Sequence, residues 1–215
     1  MFTMRSLLSL SILFAVVPAF AAAQSLEKRH QIALRFGVWN QLTDARTEVG
    51  SGGVSTTVGS TGILGGVAYG HWFKEHLALQ ISVSGMAARV ETQVSAGGVS
   101  TKTAVVAPLL VGMKYYFPRS TYGSSIRPFG GASVGAFVGN QLETETGSVV
   151  TVVARTATAV GGELSGGADF LLSRHFMVSL ALGINLMTDF NEPIGGSKNY
   201  SGPHVMLNVS LLLGG

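Results

Sequence analysis

"APLLVGMKYYFP", residues Ala107 to Pro118, sets a single charge, Lys114, inside an apolar and aromatic run. Successive side chains of a β-strand point to opposite faces. Leu109, Val111, Met113, Tyr115 and Phe117 therefore share one face and Lys114 falls on the other. A soluble strand hides its apolar face in a core and shows its polar face to water. A membrane strand does the reverse, so the surroundings that accommodate Lys114 decide the fold.

The same alternation recurs along the chain. In "LALQISVSGMA" (Leu77–Ala87), Leu77, Leu79, Ile81 and Val83 oppose Gln80, Ser82 and Ser84. In "FMVSLALGINLM" (Phe176–Met187), Phe176, Val178, Leu180, Leu182, Ile184 and Leu186 oppose Ser179, Ala181, Gly183 and Asn185. "VMLNVSLLL" (Val205–Leu213) and the first segment, with Ile32, Leu34, Phe36 and Val38 opposite Arg35, read the same way. The pattern predicts eight strands, at about 30–41, 61–73, 77–91, 101–118, 127–142, 152–172, 176–190 and 203–213. Each reaches or exceeds the roughly 9–11 residues that a tilted strand needs to cross hydrocarbon. No stretch after the first residues has 18 apolar residues in a row, so helical spans are not expected.

The connections also alternate. Lys74-Glu75-His76 and Ser173-Arg174-His175 read as tight turns, and Arg119–Ile126 as a longer link at the same end. Leu42–Ser60, Ser95–Ser100, Glu143–Thr151 and Asn191–Gly202 read as loops at the other. Short periplasmic turns and longer external loops are the asymmetry of outer-membrane barrels. Tyr69, Trp72, Phe73, Tyr115, Tyr116, Phe117 and Phe170 gather near the short-turn end and are expected to form an interfacial aromatic girdle.

Composition narrows the class. Charged residues are 12% of the 215, about half the roughly 25% of soluble proteins, and cysteine is absent. Arg5, the apolar stretch Leu7–Val17 and the small residues Ala21-Ala22-Ala23 form the pattern of a cleaved secretory signal. Residues 1–23 are therefore expected to be removed, leaving 24–215 as one exported barrel domain. The net charge of +3 falls by one with Arg5, too little to attract nucleic acid.

"PLLVGMKYYF" (Pro108–Phe117) followed by "RPFGGASVG" (Arg127–Gly135) resembles the small eight-stranded outer-membrane barrels of the outer-membrane protein A and X type. "YGHWFKEHLALQISVSG" (Tyr69–Gly85) and "GGADFLLSRHFMVSLALG" (Gly166–Gly183) are similar to that family's aromatic-turn-alternation pattern. The resemblance implies a closed, all-β, antiparallel up-and-down transmembrane barrel. It also implies outer-membrane lipid and the outer-membrane assembly machinery as partners. Where that family closes on an aromatic residue, this sequence reads Leu213-Gly214-Gly215. The peptidoglycan binding of a further domain that some relatives carry is not expected to carry over to this sequence.

No catalytic, metal or cofactor site is expected. His30, His71, His76, His175 and His204 lie outside any HExxH or paired-ligand spacing. A lipid-modifying enzyme would need a serine, a histidine and an orienting carboxylate together. His204 and Ser210 are six residues apart on one strand, about 20 Å, and His71 with Ser84 lacks an acidic third member. A soluble lipocalin-like binder would place its apolar faces inside. An eight-stranded barrel leaves an interior just wide enough for side chains. The expected function is therefore structural, or binding and adhesion of an external-loop ligand by a monomer, with passage of small apolar solutes as an alternative. Parity places Arg35, Lys114, Glu163 and Asp169 in the lumen as a charge network. Heights counted from the strand ends predict that Asp169 pairs with Lys114 or Arg35, and that Glu163 finds another cation or water.

Overall fold

The computed structural model describes residues 25–42, 61–95, 98–118, 125–146 and 150–214. The expected signal, residues 1–23, and most of the Leu42–Ser60 loop lie outside these. Eight strands follow one another: β1 (His30–Asn40), β2 (Thr61–Lys74), β3 (Leu77–Ser95), β4 (Gly98–Tyr116), β5 (Ile126–Thr146), β6 (Val150–Leu171), β7 (Phe176–Met187) and β8 (Gly202–Leu213). Each pairs antiparallel with the next, and β8 closes on β1. Closure gives every strand two neighbours over the common part of the wall, which removes the unpaired edges that lipid cannot satisfy.

The wall is inverted relative to a soluble barrel. Along β8, Val205, Leu207, Val209 and Leu211 are exposed on the outside, while Met206, Asn208, Ser210 and Leu212 are buried within. β1 repeats this, with Ile32, Leu34, Phe36 and Val38 each about half exposed and Arg35 only 3% exposed. An exposed apolar band and a buried arginine in one strand are stable only where lipid bathes the band. The lipocalin-like arrangement is thereby contradicted.

The ladder registers define the barrel's shear. Following paired residues once around leads from Gly167 to Ala181, Met206, Gly37, Leu64, Met86, Val106 and Gly139, and back to β6 at Ala157. The return is displaced from 167 to 157, ten residues toward the long-hairpin end. With ~3.3 Å per residue and ~4.8 Å between strands, that displacement over eight strands implies a tilt of about 40° and a radius of roughly 8 Å.

Hairpin lengths differ sharply between the two halves of the wall. β3 and β4 have 19 residues each, β5 has 21 and β6 22, against 11 in β1 and 12 in β7 and β8. The expected loops at Ser95–Ser100 and Glu143–Thr151 are therefore mostly strand. Pairing of β3 with β2 stops at Met86, and pairing of β6 with β7 stops at Gly161, while β3–β4–β5–β6 stay paired to their tips. At the opposite end the turns are compact. Ser173 Oγ accepts hydrogen bonds from the backbone N–H groups of His175 and Phe176 (3.2 and 3.1 Å), a hydroxyl-stabilised turn between β6 and β7.

Candidate functional site

The lumen is filled in three layers. At the short-turn end, Leu26 is fully buried beneath the barrel among Trp72, Tyr116, Met177 and Leu212. The irregular segment preceding β1 is tied there by Lys28 N–H to Trp72 O (2.8 Å), Trp72 N–H to Arg29 O (3.0 Å) and Arg29 Nε to Gly214 O (2.5 Å). The middle layer is polar and charged. At the other mouth, Trp39, Met86 and Phe137 meet Phe190, Ile194 and Tyr200, which belong to the segment between β7 and β8.

That segment is a plug. Tyr200 packs edge-on to Trp39 (5.8 Å between ring centroids) and beside Phe190 (6.1 Å), and its hydroxyl donates to Ile194 O. Gly195 N–H donates to Gln141 Oε1 (2.8 Å), and Gln41 Nε2 donates to Ser197 Oγ (2.7 Å) and Asn199 O (2.6 Å), fastening the plug to β5 and to the end of β1. Gly139 makes room for it. A Cβ there would lie 2.9 Å from Ile194 Cγ1 and 3.0 Å from Phe190 Cζ.

In the polar layer Arg35, Lys114, Glu163 and Asp169 all face inward; Glu163 has a cation beside it, but the hydrogen-bond partner of Asp169 is a tyrosine instead of Lys114 or Arg35. Arg35 Nη2 lies 3.3 Å from Glu163 Oε2 and also donates toward Met206 Sδ (3.0 Å). His204 Nε2 approaches Glu163 Oε1 at 4.0 Å. Asp169, fully buried, accepts a hydrogen bond from Tyr116 Oη at 2.8 Å. Lys114 Nζ sits 4.2 Å above the ring of Phe129, a cation–π contact. The tilt explains the exchange. Arg35 is in ladder register with Asn208, Ser179 and Asp169, yet each step along that ladder climbs the barrel. Three of eight steps in a shear of ten raise Arg35 by about four residues, to the level of Ser165 and within reach of Glu163.

The aromatic expectation is also corrected. Tyr69, Phe73, Tyr115, Phe117 and Phe170 are exposed on the outer wall near the short-turn end. Trp72 and Tyr116 are buried in the lumen, their rings 6.0 Å apart. They stand one residue from Phe73 and Tyr115, so the period of two sends them inward. Clustering in sequence is therefore not clustering on a face. Sequence reasoning also missed Arg127, in register with Asp169 and stacked 4.9 Å over the Tyr116 ring, whose Nη2 donates to Glu75 O in the β2–β3 turn. Inward parity in "IRPF", with Phe129 two residues on, would have found it.

Between the two apolar caps lies a cavity of about 10 Å³, lined by Arg35, Lys114, Phe129, Glu163 and Met206 among others. That is about the room of one water molecule. No group of three or more histidine, aspartate or glutamate side chains placed to hold a metal occurs among the described residues.

No protein-family model matches the chain, and no curated protein does. Among solved structures it is similar to Ail, the attachment invasion locus protein of Yersinia pestis, in complex with the heparin analogue sucrose octasulfate. The TM-score is 0.52 with 9% identity, over 87% of this chain and 99% of that one. It is also similar to the outer membrane protein OprG of Pseudomonas aeruginosa (TM-score 0.46, 13% identity, 91% of this chain and 100% of that one). Neisserial surface protein A gives a TM-score of 0.46 with 10% identity, over 85% and 96%. Identities this low describe a shared fold.

Proposed function

From a chain that has the fold of the small eight-stranded outer-membrane β-barrels, we infer an outer-membrane protein that works by binding at its external face. The observation that carries this is the four-stranded sheet β3–β4–β5–β6 standing above the rest of the wall. About seven to ten residues of each strand beyond the common wall would raise it roughly 20 Å.

Among the described residues, no strand pairs with Ala87–Ser95 on the β2 side or with Val150–Ala159 on the β7 side. Free strand edges offer a row of backbone donors and acceptors to an extended segment of a partner. The lumen, filled by side chains and by the β7–β8 segment among the described residues, supports a contact function over transport. The similar fold of an attachment invasion locus protein is in keeping with adhesion. Export by cleavage after Ala23 and placement of the short turns in the periplasm belong to the same proposal.

The test is to shorten both hairpins, removing 88–103 and 143–153 and joining each pair of strands by a short turn. The wall below is complete without them, so the variant is expected to reach the outer membrane. Cells displaying it should lose attachment to matrix-coated surfaces that cells displaying the full barrel retain. Equal attachment by both would refute the binding role of the sheet.

A further inference from the structure

We propose that His30 and His71, on the outer wall at the short-turn end, form a two-imidazole site for a divalent transition-metal ion of the copper, nickel or zinc class. The two residues are direct partners across the β1–β2 ladder. Both belong to the outward parity, His30 with Ile32 and Leu34, His71 with Tyr69 and Phe73. Directly opposed residues in an antiparallel pair hold their Cβ atoms about 5 Å apart, and the two rings here lie 4.6 Å apart at an interplanar angle of 31°. A metal–imidazole bond is about 2.0–2.1 Å. An ion so bound lies about 3 Å from each ring centroid, and a separation of 4.6 Å is within the span of two rings that share it.

Two further features prepare the pair. His30 Nδ1 is 2.6 Å from Tyr69 Oη. In the tautomer where Nδ1–H donates to the phenol oxygen, Nε2 keeps its lone pair and faces away from Tyr69. Metal-bound histidines are held this way, the second ring nitrogen fixed by a hydrogen bond, and Tyr69 is then a positioning residue. His71 Nδ1 is buried and makes no hydrogen bond, while its ring is braced edge-on by Phe73 at 5.0 Å. A nitrogen without a partner beside a ring already oriented is what a ligand position requires.

The donor set selects the ion. Two imidazoles without thiolate or carboxylate favour borderline metals over calcium or magnesium, and the order of affinity at nitrogen sites peaks at Cu²⁺. With two protein ligands, the other coordination positions stay open to water or to oxygens of the surrounding lipid headgroups. The site is remote from the projecting sheet and independent of it.

Copper(II) chloride is the probe, titrated into the untagged full chain folded in detergent and read by calorimetry and electron paramagnetic resonance. The expected result is one ion bound with hyperfine structure from two imidazole nitrogens. Loss of an orienting hydrogen bond to a metal ligand costs about 10-fold or more in affinity, so His71→Ala, which removes a ligand itself, should weaken binding by more than ~10-fold. Tyr69→Phe should weaken it less, and His175→Ala should leave it unchanged. His71→Gln provides the same comparison if the alanine variant does not fold. No binding at millimolar copper, or an unchanged two-nitrogen spectrum in the His30→Ala/His71→Ala double variant, would overturn the proposal.

Discussion

Glu163 lies within reach of Arg35 and His204 in a layer where water has almost no room. The pair's side chains are 4% and 10% exposed, so each charge depends on the other for what solvation it lacks. Removing one member of such a pair costs about 3–5 kcal/mol, because the survivor is buried without compensation, whereas replacing both by apolar groups of similar volume is close to neutral. Glu163→Gln should therefore destabilise the barrel by about 3 kcal/mol in urea unfolding from lipid vesicles, and Arg35→Met/Glu163→Leu by much less. Additive single-residue effects would show that the two charges do not interact. Lys114 is accommodated differently, with its ammonium against Phe129 and its stem inside the wall. That inward direction was readable from "GMKYYF" by parity alone. The partner was not, because partners across a tilted barrel depend on how far each strand climbs around it.

The segment between β7 and β8 behaves as an element although it carries no regular strand. Its sequence, "TDFNEPIGGSKNYS" (Thr188–Ser201), has no periodicity, and only Phe190, Ile194 and Tyr200 stand out as large apolar or aromatic residues in a polar stretch. Those three are the buried ones. Met86 lies under the plug and is itself fully buried, and the chain has no cysteine. Met86→Cys should thus resist a membrane-impermeant thiol reagent in intact cells, and become reactive when Phe190 and Ile194 are also changed to alanine. Equal labelling with and without the plug residues would show that the mouth is open. The long hairpins were partly legible. "TKTAVV" and "VTVVARTATAV" are rich in β-branched residues, but the Gly-Ser stretches beside them read as loops. They continue as strands because each finds a hairpin partner for its backbone groups.

At the scale of the whole molecule, eight strands with a shear of ten require a tilt of about 40°. Polarised infrared spectroscopy on oriented bilayers should return that angle, and a value near 20° would contradict the ladder registers. Planar bilayers containing the protein should show no stable nanosiemens-scale steps, since side chains and plug close the barrel. What the amino-acid sequence determined by itself was everything that follows from a period of two: eight strands, an apolar outside, a polar inside, and the inward direction of Arg35, Lys114, Glu163 and Asp169. Such information is local, because each strand meets lipid on one side and lumen on the other at every second residue. Only the tertiary structure decided that Arg35 meets Glu163, that Trp72 and Tyr116 stack inside the barrel, and that Phe190, Ile194 and Tyr200 seal its mouth. Those contacts join residues distant in the chain, and their geometry is set by shear and closure, which belong to the ring of strands as a whole and are written in no single strand.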